Sequence, residues 1–348
     1  MKKSQLYIGL SILFVIVWLY SLFTPVITQA QGYVYYLRPG TSKRAMILEL
    51  TQQNIIKHPF LFSLFAYPQR NVQLKTGEYL FPKGSSLYSI WKQMTTGSGF
   101  YNHPFVIIPG WSFTQLRREL ANAQGLRHLT AKLSDQQTME RLGYPHLGPE
   151  GEFFPETYYY IKGIPDLVIL KRAIDLMQNR LQELWQHRAS GLPYKSEYEA
   201  LIAASLIEKE AYLNSERPII SGVLINRLKK NMLLQFDPTI IYGLGERYDG
   251  KIHKENLQED NPYNTYLHRG LPPTPIAMPS IESIKAAMHP QVNDYFYFVA
   301  KGDGSHQFSK TLIEHNMAVD SAFKWHNPNF NEAIIRRHME NYLGQKLN

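Results

Sequence analysis

The sequence predicts an α+β protein with a single transmembrane helix at its N-terminus, a small α/β module next, and a larger mixed α/β domain after that. Three observations carry the expectation. A long uncharged apolar stretch opens the chain, a strand–turn–helix pattern recurs behind it, and a helix-rich middle then gives way to text rich in Gly, Pro, Asn and Tyr. A length of 348 residues fits about two domains.

Lys2 and Lys3 precede a stretch without charge from Ser4 to Leu37, with its apolar heart at Leu6–Phe23. As a helix that heart spans roughly 27 Å, close to the ~30 Å of a hydrocarbon core. Thr28-Gln29-Ala30 offers a plausible cleavage site, so a signal peptide competes with an anchor. Signal cores run only about 7–15 residues, and the greater length here favours a retained anchor. The lysines place the N-terminus in the cytoplasm and the rest of the chain outside it. Residues 1–24 are read as tip and anchor, and residues 25–32 as a tether that Pro25 begins.

The next elements repeat. Gly40-Thr41-Ser42 leads to Met46 and Leu50, Gly84-Ser85-Ser86 to Ile90 and Met94, and Gly110-Trp111-Ser112 to Leu116 and Leu120. Each Ser can cap a helix whose apolar residues fall four and eight positions later. Strand-like runs precede each copy at Tyr33–Leu37, Glu78–Phe81 and Phe105–Ile108. Residues 33–103 form the small module and residues 104–345 the larger domain.

Helices follow from Asp166 to about Gly191, over about 197–213 behind Ser196, and over about 217–230. The segment Asp237–Ser309 reads as binding surface, with a strand at Tyr295–Val299, and His315–Tyr342 as a closing helix.

The composition removes whole classes of chemistry. There is no cysteine, which excludes disulfides, thiolate metal sites and Cys nucleophiles. The formal charge is +8, but Lys and Arg are spread out, so a solvated surface is preferred to a nucleic-acid groove. No His-Glu-x-x-His, Walker A or Gly-x-Ser-x-Gly is present, and no metal or organic cofactor is expected.

The helix at 197–213 carries Glu208 and Glu210, about 200° apart around its axis. Glu210 falls among Ile202, Ala203, Leu206, Ile207 and Leu213, and Glu208 on the other side near Leu201, Ala204 and Ser205. A carboxyl in an apolar face stays protonated near neutrality, as a general acid must. A buried glutamate held by a Lys or Arg for structural reasons explains the same pattern equally well. The later segments Asn226-Arg227, Gln235-Phe236-Asp237, Tyr263-Asn264-Thr265-Tyr266 and His306-Gln307-Phe308 supply amides, hydroxyls and rings suited to a sugar. Singly, each also serves as loop architecture. Glu150–Tyr158 offers further acids, either in a turn around buried aromatics or on a cleft wall.

Together, Leu206–Glu210, Glu216-Arg217, Val223–Leu228, Leu234–Thr239, Tyr263–Tyr266, Gly270–Pro273, Ala287–Pro290 and His306-x-Phe308 resemble the YceG-like (MltG) family of endolytic murein transglycosylases. The resemblance runs over nearly the whole chain, and Pro109 departs from the acid common there. It implies that Glu210 is the catalytic residue. It also implies that the small module is LysM-like and that the substrate is a peptidoglycan glycan strand, cut internally at MurNAc–GlcNAc β-1,4 bonds to leave 1,6-anhydro ends. Asn226, Gln235, Asp237, Tyr263, Asn264, Tyr266, His306 and Phe308 are the candidate substrate-binding residues. The implied place is the bacterial inner membrane, with the catalytic domain periplasmic and peptidoglycan synthases as neighbours. A water-dependent muramidase using Asp237 as second carboxylate, and a non-catalytic wall-binding scaffold, are the rival readings.

Overall fold

The computed structural model describes residues 2–69 and 71–326, with side chains described as far as Ser321. It is a mixed α/β structure in two compact units. The first holds the chain up to Phe105 with the short returns Ala123–Arg127 and Tyr159–Pro165. The second holds Val106–Asn122, His128–Tyr158 and the described chain from Asp166 on.

In chain order the elements up to residue 106 are α1 (Lys2–Phe23), β1 (Tyr33–Leu37), α2 (Lys43–Gln52), α3 (Pro59–Ala66), β2 (Gly77–Phe81), α4 (Leu87–Thr96) and β3 (His103–Val106). Then come α5 (Phe113–Asn122), α6 (Asp135–Leu142), β4 (Thr157–Tyr160), α7 (Asp166–Gln186), α8 (Glu197–Glu210) and α9 (Arg217–Lys229). The last are α10 (Asp237–Leu244), α11 (Lys254–Gln258), α12 (Ile281–Met288), β5 (Tyr297–Ala300), β6 (His306–Ser309) and α13 (Leu312–His326). The remainder of the helix expected to reach Tyr342, and the domain end at 345, lie outside the described residues.

Each Gly-x-Ser repeat does what its residues dictate. Ser42 accepts from the Ala45 N–H, Ser86 from Ser89 and Ser112 from Gln115. The preceding Gly40, Gly84 and Gly110 all take positive φ, near +80° to +90°, a turn conformation that a Cβ would strain. Met46, Leu50, Ile90, Met94, Leu116 and Leu120 are all buried. A cap contributes about 1 kcal/mol, whereas each buried side chain contributes roughly 1.5–3 kcal/mol. Packing therefore supplies the stability and the caps set where the helices begin.

β1 pairs antiparallel with β2, from Tyr33 opposite Phe81 to Leu37 opposite Gly77. Behind them Phe62, Trp91 and Met94 close the first unit's core. Between α1 and β1 the Val26 N–H donates to the Ser85 carbonyl at 2.8 Å. Among the described residues α1 is the one helix long and apolar enough to cross a membrane, over Lys3–Phe23.

The second unit is built around α8, α9 and α12. α7 opens on Asp166, whose buried carboxylate accepts from the backbone N–H groups of Leu129 and Thr130, both at 3.1 Å. α10 and α12 fall inside Asp237–Ser309, the stretch read from the sequence as binding surface with a single strand. α12 is a short helix capped by Ser280, and Pro238 stands in the first turn of α10. β5 and β6 form an antiparallel hairpin, Phe298 facing Phe308.

Candidate active site

Residues 200–207 of α8 are buried without interruption, so the helix is apolar all round rather than on one face. It ends at Glu210, where Ala211 turns to extended backbone (ψ 110°). The two glutamates of the last turn meet opposite surroundings.

Glu208 is locked. Arg217 donates from Nη1 to Oε2 at 2.6 Å and from Nη2 to Oε1 at 3.2 Å. Oε2 also accepts from the Ser280 N–H at 2.9 Å, the Ser280 hydroxyl at 2.5 Å and the Ser283 hydroxyl at 2.8 Å. These donors stand at the N-terminus of α12, where a negative charge is favoured. Burial would raise the Glu208 pKa, but the hydrogen bonds from Arg217, Ser280 and Ser283 outweigh it and hold the carboxyl below its ordinary value.

Glu210 is not held in that way. Among the described residues it has no hydrogen-bond donor or ion-pair partner. Burial pushes its pKa up to about 8, the charge of Asp237 adds to the rise, and Arg227 opposes it. The unpaired carbonyls at the end of α8 push the same way. The structurally paired glutamate of the helix pattern is thus Glu208, while Glu210 keeps the unpaired, desolvated character that the other reading requires.

Glu210 lies on a cleft of about 600 Å³ with Arg227, Gln235, Asp237, Tyr266, Tyr297 and His306 in its lining. Arg227 is fixed by the Phe296 carbonyl at 2.6 Å and the Leu234 carbonyl at 2.5 Å, and its guanidinium lies 5.3 Å from the Tyr297 ring centre. Gln235 is held at φ +53°, a left-handed backbone rare outside glycine. Its N–H donates to the Thr265 carbonyl at 3.1 Å, which keeps this strained residue at the cleft. The Tyr266 hydroxyl donates to Asp237 Oδ1, and burial followed by that carboxylate holds the phenol proton on. His306 offers Nδ1 to Glu216 Oε2 at 2.7 Å, and its backbone N–H donates to Oε1 at 2.9 Å.

Of the residues expected to contact substrate, Gln235, Asp237, Tyr266 and His306 share this lining with Glu210. Asn226, Tyr263, Asn264 and Phe308 lie outside it. Asn226 donates to the Asn293 and Tyr295 carbonyls, both at 2.9 Å, and so pins the approach to β5. Asn264 is buried, its amide spent on the Leu257 and Glu259 carbonyls, while its Oδ1 accepts from the Tyr266 N–H at 2.9 Å. Tyr263 stacks obliquely on Tyr242 and pairs its hydroxyl with Thr274. Phe308 packs 6.1 Å from Phe298 and lines a neighbouring cavity. Arg227, Tyr297, His315 and Glu216 were not among the expected residues. Arg227 adjoins the predicted Asn226 and Tyr297 lies in the predicted strand Tyr295–Val299, which was the available signal.

The Glu150–Tyr158 segment folds as a turn around buried Phe153 and Phe154. Glu150 accepts from the Phe113 N–H and the Tyr242 hydroxyl, each at 3.0 Å. Among the described residues no three of His, Asp and Glu converge to hold a metal ion.

The YceG-like family model matches residues 35–321, a span that includes α8 and every residue of the cleft. The chain belongs to the YceG-like family. A Bacillus subtilis (strain 168) protein named endolytic murein transglycosylase is 32% identical over 297 residues, covering 81% of this chain and 82% of that protein. A Streptococcus pneumoniae (strain D39) protein of the same name is 27% identical over 330 residues, covering 85% of this chain and 59% of its own length. The crystal structure of a yceG-like protein from Listeria monocytogenes aligns with a TM-score of 0.52 at 27% identity, covering 83% of this chain and 99% of that one. In this YceG-like chain, Glu210, Gln235, Asp237, Tyr266 and His306 of the matched span line one cleft of the second unit.

Proposed function

We propose that this YceG-like chain is an endolytic murein transglycosylase that cuts MurNAc–GlcNAc β-1,4 bonds inside peptidoglycan strands and leaves 1,6-anhydroMurNAc ends. The names of the Bacillus and pneumococcal relatives support the activity. The observation that carries the site is the unpaired acid Glu210, raised to a pKa of about 8 and facing a cleft.

The steps balance without water. Protonated Glu210 gives its proton to the glycosidic oxygen and the C1–O bond breaks. The C6 hydroxyl of the same MurNAc attacks C1, and Glu210, now a carboxylate, takes the hydroxyl proton. Intramolecular attack replaces the water that a second carboxylate would otherwise activate. Arg227 stabilises the transient Glu210 carboxylate electrostatically, while Gln235, Tyr266 and His306 hold the sugar. Asn226, Tyr263, Asn264 and Phe308 act through the segments they position.

A muramidase with Asp237 as base is less well supported, because Asp237 is already engaged by the Tyr266 hydroxyl. Mass analysis of muropeptides from purified sacculi separates the readings, since an anhydro end is one water lighter than a hydrolysed end. Hydrolysed ends alone would refute the transglycosylase reading. Unchanged cleavage by a folded, glycan-binding Glu210→Gln variant would leave the scaffold reading standing.

The first unit, with a two-stranded sheet backed by helices after Ser42 and Ser86, is the proposed LysM-like wall-binding module. α1 is the proposed inner-membrane anchor, with the catalytic unit in the periplasm. The family further implies a place beside peptidoglycan synthases, trimming nascent strands.

A further inference from the structure

The end of α1 is built into the first unit. Leu22 and Ile27 are buried in that unit's core, and the Phe23 ring lies 5.0 Å from Tyr88 of α4. Lower on the helix, the Trp18 indole N–H donates to the Leu61 carbonyl of α3 at 2.9 Å. At ~1.5 Å per residue, Trp18 sits about 7–8 Å below Phe23. α3 is thus tied to α1 beneath the point where the apolar span ends.

Every side chain of α1 from Lys3 to Val17 is exposed, whereas beyond it Trp18, Ser21 and Leu22 turn toward the first unit and Leu19, Tyr20 and Phe23 stay exposed on the other side. The part of the helix free on every side, Lys3 to Val17, is about 22 Å long, so a hydrocarbon core of ~30 Å also takes in the turns of the Lys3–Phe23 span that pack on the first unit along one side. Those are the turns to which α3 is tied. α3 buries Phe62 and Ala66 in the core and turns Phe60 and Leu64 outward, with its C-cap Tyr67 beside them, 68%, 41% and 46% exposed. Their spacing of four and three residues makes one stripe along the helix.

We propose that α3 is a second membrane contact, lying in the interface of the outer leaflet with Phe60, Leu64 and Tyr67 in lipid. The first unit is then seated in the bilayer rather than held above it. This rests on the reading of α1 as a retained anchor. Lipid is the occupant because α3 is bonded to α1 at Trp18, inside the apolar span, which sets the stripe near the ~5–10 Å depth where interfacial helices lie. Tyr67 and Trp18 are the ring types that favour that boundary.

The chain has no cysteine, so single-cysteine variants report cleanly. Full-length Ile12→Cys, Phe60→Cys, Leu64→Cys and Thr96→Cys would each carry an environment-sensitive fluorophore in protein-free phosphatidylethanolamine–phosphatidylglycerol vesicles. Lipids bearing a nitroxide near the headgroup should quench positions 60 and 64 at least about twofold more than 96, with matching shielding from aqueous iodide. Nitroxide deep in the acyl chain should quench position 12. If position 12 is quenched while 60 and 64 remain as open to iodide as 96, α3 does not touch lipid and the anchor stands. If position 12 is not quenched, the anchor fails and the proposal with it. Shielding of 60 and 64 that appears only in native membranes would assign the stripe to a protein partner and overturn the lipid assignment.

Discussion

Arg217 clasps Glu208 with both terminal nitrogens, and the pair is buried against the N-terminus of α12. One carboxylate thereby joins α8, α9 and α12, the helices that hold Glu210 in place. Removing the charge leaves a buried guanidinium without compensation, which costs about 3–5 kcal/mol. Glu208→Gln should therefore lower the unfolding free energy by roughly that amount in denaturant titrations. Replacing both residues with apolar ones of similar volume should recover most of the loss. An unchanged midpoint in Glu208→Gln would show that the clasp does not hold the helices together.

Glu210→Gln should behave in the opposite way. The amide matches the neutral acid in shape and breaks no pairing with a described residue, so stability should hold or rise. Glycan cleavage should fall by about 10²–10⁴-fold, the usual worth of a general acid, with glycan binding retained. The check is muropeptide release beside a thermal melt. Loss of cleavage accompanied by unfolding would remove the case for a chemical role.

In the proposed mechanism the Glu210 carboxyl acts protonated, so cleavage should fall about tenfold per pH unit once pH rises above about 8. Burial is the main cause of that high value and the Asp237 charge the next. Asp237→Asn removes the second cause and should move the alkaline limb to lower pH while activity persists. A pH–rate profile of kcat/KM for both proteins decides it. An unmoved limb would disconnect Asp237 from Glu210, and complete loss of activity would favour the muramidase reading.

Stability should follow pH in a direction that the buried acids set. Burial raises Glu150 to about 7 and Glu152 to about 8, beside Glu210 at about 8, from an ordinary 4.5. Above pH 4.5 the unfolded chain sheds these protons while the folded chain keeps them, so rising pH favours unfolding until about pH 8. Glu208 has the opposite shift, and its contribution is lost only in acid. The melting temperature should peak near pH 5 and decline toward 8. Glu152→Gln should flatten that decline, since among the described residues Glu152 Oε1 is buried without a partner. A melting temperature that climbs from pH 5 to 8 would contradict the burial of these carboxyls.

What could be read from the text was what neighbouring residues decide. Gly40-Thr41-Ser42 and its two echoes contain the turn, the cap and the apolar spacing of their own helices, and the structure realises each. α12 was missed because much of its support is tertiary: its first turn rests on Glu208, more than 70 residues earlier. The fate of Glu208 was hidden for the same reason, since Arg217 reaches it around a break between two helices. Asn264 shows the reverse limit. An amide in a loop looks the same in sequence whether it meets a sugar or, as here, backbone carbonyls. Glu210 stood out because a carboxyl among Ile202, Ala203, Leu206 and Ile207 is a local anomaly.

The contact between His306 and Glu216 gives the last test. Glu216 takes both the ring Nδ1 and the backbone N–H of His306, so it fixes the position of β6 and the face of the imidazole together. With Nδ1 occupied, Nε2 is left for the cleft, where a sugar hydroxyl can meet it. His306→Ala and Glu216→Gln should then each lower kcat/KM by about tenfold, or 1.4 kcal/mol, and the double variant should be little worse than either alone. A melt on each protein separates this from unfolding. If the two losses multiply in proteins that remain folded, Glu216 does not act through His306, and the imidazole is placed by the Phe298 and Phe308 rings around it instead.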